Sequence, residues 1–80
     1  MLPIQCKLAR VAAGLGVREL AAAARVAPLT VSRFERGDVL RARTVQAIRK
    51  ALEKAGVEFI DENGGGPGVR LSKPKRKKSR

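Results

Sequence analysis

Residues 21–37 read AAAARVAPLTVSRFERG. Helix propensity alone would draw one uninterrupted helix through the alanines and on into the charges. Pro28 forbids it. Inside a helix a proline lacks the amide donor and clashes with the turn before it, whereas at the first helical position its missing N–H is not needed. The stretch therefore reads as two helices with a corner from Arg25 to Ala27. The first runs from Val17 to Arg25 with Leu20, Ala21 and Ala24 inward. The second runs from Pro28 to Arg36 with Val31 and Phe34 inward, and Gly37 supplies the left-handed residue that ends it.

Working outward, Ile4, Leu8, Val11, Ala12 and Leu15 recur at spacings of three and four, the stripe of an amphipathic helix that stops at Gly14 or Gly16. Beyond the basic loop DVLRAR, Thr44 is a candidate cap for a further helix reaching Ala55, with Val45, Ile48, Leu52 and Ala55 inward and Gly56 as the stop. After Gly56 the period changes. VEFI and GVRL are short β-type runs separated by DENGGGP, which predicts a hairpin or a pair of edge strands. The end, SKPKRKKSR, carries six cations with neither acid nor apolar residue, so no burial offsets the entropy of ordering it. The expected organisation is a helical domain over 1–56, a strand element over 57–71 and a disordered basic tail over 72–80.

Eighty residues with 44% apolar content make one small domain, and a net charge of +11 directs it toward a polyanion, a nucleic acid or an acidic membrane surface. No run of apolar residues is long enough for a secretory signal or a membrane span, so no membrane partner is expected. With no His and one Cys, a zinc site, His-based acid–base chemistry and an internal disulfide have no residues to use. Cys6 reads as a small core residue in a reducing, cytoplasmic setting. The glycine-rich ENGGGPGVR lacks the Lys-Ser/Thr and following helix of a phosphate loop, and no catalytic constellation, metal site or cofactor site emerges. Only Phe34 and Phe59 are aromatic, which leaves no stacking platform for single-stranded RNA.

A sharp corner between helices needs a small residue at the close approach, here Ala21, and apolar residues lining the contact, here Leu20, Ala24, Val26, Val31 and Phe34. These offsets, together with TVSRFERG, resemble the helix-turn-helix of the phage-repressor-like (Xre/Cro) regulators over residues 4–56. The resemblance implies a mainly α fold, a bundle of four to five helices, with the strand pair appended. It further implies that the second helix of the motif lies in the major groove of double-stranded DNA, with Ala27, Pro28, Leu29 and Arg33 at base edges. Arg33 suits guanine, whose paired acceptors match a guanidinium fork. Thr30, Arg36, Arg41, Arg43 and Arg18 are the implied phosphate contacts, and Arg10 and Glu35 the implied structural ion pair. Three positions depart from the family pattern: Val17 where Gln is usual, Ala27 where Ser or Thr is commoner, and Arg25 where Gly is favoured. A non-glycine residue held at positive φ at that corner costs about 1 kcal/mol.

The function implied is a bacterial, cytoplasmic, nucleoid-associated transcriptional regulator, a dimeric repressor on a pseudo-palindromic operator. The alternative from another class is an antitoxin that neutralises a toxin protein and autoregulates through DNA. A single motif reads few base pairs and its core is small, so a homodimer is expected, with Val57, Phe59, Ile60, Val69 and Leu71 at the interface and Phe59 as its anchor. KPKRKK also looks like a nuclear import signal, but beside this motif it reads as an arm that follows phosphates. Deleting residues 73–80 removes six positive charges. The magnitude of the slope of log affinity against log salt should fall by up to about 0.9 for each phosphate that the tail neutralises, with sequence preference retained. Binding titrations over a salt series check this, and an unchanged slope would remove the tail from the interface.

Overall fold

The computed structural model describes residues 1–60 and 65–72. The basic tail over 73–80 and most of the connection between the two predicted strands lie outside the described residues. Four helices come first: α1 (Pro3–Ala12), α2 (Val17–Ala24), α3 (Pro28–Glu35) and α4 (Ala42–Lys54). The strands β1 (Val57–Ile60) and β2 (Gly68–Leu71) follow and pair antiparallel, with Val57 opposite Leu71 and Phe59 opposite Val69. The period-2 reading after Gly56 thus finds its hairpin.

The corner between α2 and α3 is closed by backbone geometry. Arg25 sits at φ 61°, ψ 44°, and the Val26 N–H donates to the Ala21 carbonyl (2.9 Å) while the Arg25 N–H donates to that of Ala22 (3.2 Å). These are the two bonds of a Schellman ending. The same pair closes α1 at Gly14 and α3 at Gly37, so three helices end alike and Arg25 is the residue with a side chain in the left-handed position. Ala27, extended at φ −72°, ψ 147°, then hands the chain to Pro28, the first residue of α3.

Leu20, Val31, Ile48 and Leu52 form the centre of the core, joined by Ala21, Ala24, Phe34 and Ala51 from α2, α3 and α4. The alanines of α2 let α3 and α4 approach closely, which is why a helix so poor in large side chains can hold two neighbours. Val57 of β1 enters this core as well.

Three expectations are corrected. The buried face of α1 is Gln5, Cys6 and Ala9, whereas Ile4, Leu8, Val11 and Ala12 are exposed. Small residues admit the α1 backbone close to its neighbours, and Gln5 is tolerated inside because its amide is fully engaged. Its Oε1 accepts from the Leu2 N–H (2.8 Å), and its Nε2 donates to the carbonyls of Ile60 (3.2 Å) and Gly68 (3.0 Å). Secondly, α4 begins at Ala42 with Arg41 as its N-cap and no side-chain cap, so Thr44 lies inside the first turn, donating its N–H to the Arg41 carbonyl, and Ala55 is exposed. Ala and Arg propagate a helix well, which carries its start three residues further back than a Thr44 cap implies. Thirdly, Ser72 belongs to the hairpin, since its N–H (2.6 Å) and Oγ (2.8 Å) both donate to the Gly56 carbonyl.

The left-handed Arg25 generates a stability prediction. Arg25→Gly should raise the free energy of unfolding by about 0.5–1 kcal/mol by relieving the Cβ–carbonyl crowding, net of the larger backbone entropy of glycine in the unfolded chain. Urea denaturation measures it, and a variant less stable than the parent would contradict the assignment of strain.

Candidate nucleic-acid interface

The surface in question is built on α3. Val31 and Phe34 point into the core, which dictates what the opposite side of the helix presents. At 100° per residue, Leu29, Arg33 and Arg36 fall within about 60° of arc on that opposite side, and all three are exposed. Ala27 and Pro28 are exposed at the N-terminal end of the same helix, and Thr30 is half-buried, turned toward its flank. The structure therefore brings Leu29, Arg33 and Arg36 onto one outward ridge, with Ala27 and Pro28 exposed at the N-terminal end of the helix rather than on it. Exposed Leu29 there has no core role, and an aliphatic side chain between arginines is suited to a thymine methyl in a groove.

Cations flank the ridge. Arg36 caps α3 and makes one loose ion pair with Asp38 (3.5 Å, both exposed), Arg41 caps α4, and Arg43 lies in the first turn of α4; all three are exposed. Arg18, also exposed, stands in the first turn of α2, where the Glu19 carboxylate accepts the Gly16 N–H. The guanidiniums of Arg18, Arg33, Arg41 and Arg43 make no ion pair among the described residues. A protein that spent these charges on itself would have nothing to exchange for the counterions of a polyanion. Two cations elsewhere are spent: Arg49 pairs with Glu53 (3.0 Å) and lies over the Phe59 ring (4.9 Å to its centre), and Arg70 pairs with Glu58 (2.8 Å).

One ion pair holds the ridge in place. Arg10 of α1 grips Glu35 at the end of α3 through two bonds, Nε to Oε2 (2.8 Å) and Nη2 to Oε1 (3.0 Å), and its Nη1 donates to the Leu15 carbonyl (3.2 Å). The side chains are 14% and 10% exposed, so this fork works in a low-dielectric setting, and it holds Arg10 above its ordinary pKa, through the bond to Glu35 first. Cys6 completes the cluster by donating its S–H to Glu35 Oε2 (3.4 Å). Burial, and secondly the Glu35 carboxylate, push the Cys6 thiol up to about 12, so it stays protonated at neutral pH and serves packing rather than chemistry.

The hairpin residues are distributed differently from the sequence expectation. Val57 is buried in its own core, and Phe59 and Val69 pack against that core beneath α1 and α4. The premise that this apolar face lacks cover within its own domain is corrected: α1, freed of its larger aliphatic residues, covers it. Ile60 and Leu71 remain exposed. Sequence reasoning also missed Gln5, whose polar type argued against burial; its three partners lie at residues 2, 60 and 68, two of them beyond the reach of any local pattern.

Two helices at a sharp corner, the second anchored by two core residues and exposing a ridge with flanking cations, define a helix-turn-helix DNA-binding domain. The helix-turn-helix family model (HTH_3) matches residues 7–59, most of the chain, and the chain belongs to the phage-repressor-like (Xre/Cro) helix-turn-helix family. It is a DNA-binding transcriptional regulator of that family. A comparison with curated proteins gives no match. Among the described residues, no helix is long and apolar enough to cross a membrane.

The Arg10–Glu35 fork yields a test of what holds α3. Glu35→Gln leaves a desolvated guanidinium without its counter-charge and should cost about 3 kcal/mol, whereas Arg10→Met combined with Glu35→Leu should recover most of that loss. Urea denaturation of the single and double variants checks it; a double variant no more stable than Glu35→Gln would contradict the assignment.

Proposed function

We propose that the protein is a repressor that acts as a homodimer, each copy laying α3 in the major groove of one half-site of a pseudo-palindromic operator. The observation that supports this reading most is the ridge of α3, where Leu29 and Arg33 stand exposed opposite Val31 and Phe34, so that burial of the motif's core forces these two outward. Arg33 is assigned to a base edge, with Leu29, Pro28 and Ala27 beside it, and its guanidinium fork matches the O6 and N7 acceptors of guanine. Arg18, Thr30, Arg36, Arg41 and Arg43 are assigned to phosphates, where they set register and affinity without reading sequence. Two copies are required on energetic grounds, since one motif contacts too few base pairs to select a site in a genome and half-sites about one helical turn apart double the information read. Repression follows from occupancy: a chain bound across a promoter excludes what must bind there.

The division between base reading and phosphate contact is testable on a site selected from random duplexes by the protein itself. Arg33→Ala should cost about 1–3 kcal/mol on that site and flatten preference at one position per half-site, while Arg41→Ala should weaken selected and random duplexes alike. Equal losses on both duplexes for both variants would overturn the assignment.

A further inference from the structure

The exposed stripe of α1 has no task in the DNA-facing surface. Ile4 (53% exposed), Leu8 (45%) and Val11 (62%) stand at spacings of four and three, within about 60° of arc. Leu2, the N-cap of α1, is exposed too, and so is Leu71 on β2, the strand packed along α1. Arg10, which ties α1 to α3, lies about 120° round the helix from Ile4, so the stripe stays open when α3 occupies a groove. From the ridge of α3 it is a separate face.

We propose that this face is where a second copy of the chain docks, α1 against α1 of its neighbour in antiparallel fashion about a two-fold axis, with Leu8 at the axis and Ile4 of each copy against Val11 of the other. The proposal rests on the dimeric reading above and gives it a surface. Three observations select a second copy as occupant. The first is spacing: positions i, i+4 and i+7 make a seam that is self-complementary when reversed, which an isologous contact requires. The second is size. The three stripe residues together with exposed Leu2 and Leu71 amount to about 400 Å² of apolar surface over α1 and β2, the scale that marks interaction sites. Two copies would cover about 800 Å² of it, and with a usual apolar share of about 60% the whole interface comes to about 1,300 Å², inside the range of stable dimers.

The third is charge. A chain with a net +11 repels its own copy nearly everywhere. Among the described residues of α1, β1 and β2 that repulsion is reduced: Arg10 is neutralised by Glu35 and Arg70 by Glu58, which leaves Lys7 as the one cationic side chain of these three elements with no ion pair among the described residues. A copy meets fewer unpaired cations on the helix here than on the arginine-bearing faces of α2, α3 and α4. The free edge of β2, with Leu71, would extend the contact beside the helices.

The test uses the full chain. Wild type should sediment as a dimer at micromolar concentration, and Leu8→Asp as a monomer with an unchanged circular dichroism spectrum. On the duplex selected by wild type, Leu8→Asp should lose at least tenfold in affinity while holding a duplex of one half-site as well as wild type does. Should Leu8→Asp fail to fold, Leu8→Cys decides: under mild oxidation it should form a disulfide between copies, with Val39→Cys, whose position is exposed elsewhere, as the control. A folded Leu8→Asp that remains dimeric, or a Leu8→Cys that links no faster than the control, overturns the proposal. A wild type that selects a sequence yet is monomeric both free and on DNA overturns it too and leaves the DNA-binding reading standing. A wild-type dimer that is abolished in Leu8→Asp, with no preference among duplexes, supports the surface and overturns the operator reading instead.

Discussion

One left-handed residue sets the geometry on which everything else depends. Arg25 turns the chain out of α2, its neighbour Val26 bonds back to Ala21, and Pro28 then starts α3. From that point the direction of α3 is no longer free. Val31 and Phe34 drop into the core made by Leu20, Ile48 and Leu52, and the rest of the helix has to face solvent. The outward ridge is thus a by-product of how the core closes: the same turn that buries two residues presents Leu29, Arg33 and Arg36 on the other side. That the position is filled by an arginine rather than a glycine shows how firmly the surrounding bonds impose the conformation, since they hold it against its steric preference.

Buried polar groups supply the second level of order. An alanine-rich core this small offers little shape to distinguish one arrangement of α1 from another, and the specificity comes from bonds that fit only one. Gln5 measures the distance to the hairpin by reaching Ile60 and Gly68, and Arg10 measures the distance to α3 by its fork on Glu35. Each would be costly if left unmade, so slippage of α1 is opposed by desolvated amide and guanidinium groups rather than by packing alone. The consequence is a helix that turns its polar residues inward and leaves its largest aliphatic residues outside.

Much of the fold is legible in the sequence because its punctuation is local. Pro28, Gly37 and Gly56 mark where helices start and stop, and the change from period 3.6 to period 2 after Gly56 marks the strands. The family is legible from the offsets of Leu20, Ala21, Ala24, Val31 and Phe34, and the family match over residues 7–59 agrees. The side of α1 that faces in is not legible. Periodicity there picks out Ile4, Leu8 and Val11, and it has no means of knowing that Gln5 and Arg10 find partners far along the chain. The start of α4 is misread for a simpler reason, because Thr44 is a good cap by type while Ala42 and Arg43 are good helix formers by propensity. The cations of the candidate interface can be named from sequence, but which cations are already paired, Arg36 with Asp38 in that set and Arg49 and Arg70 outside it, depends on contacts the sequence does not display.

Whether the outward ridge of α3, and no other face, meets the bases is open to direct observation by isotope-filtered nuclear Overhauser spectroscopy on the labelled chain bound to its selected duplex. Cross-peaks are expected from the Leu29 methyls and the Arg33 side chain to major-groove base protons, with none from Leu8 or Leu71. Cross-peaks to base protons from Leu8 or Leu71, with Leu29 and Arg33 silent, would contradict the assignment of α3 to the groove.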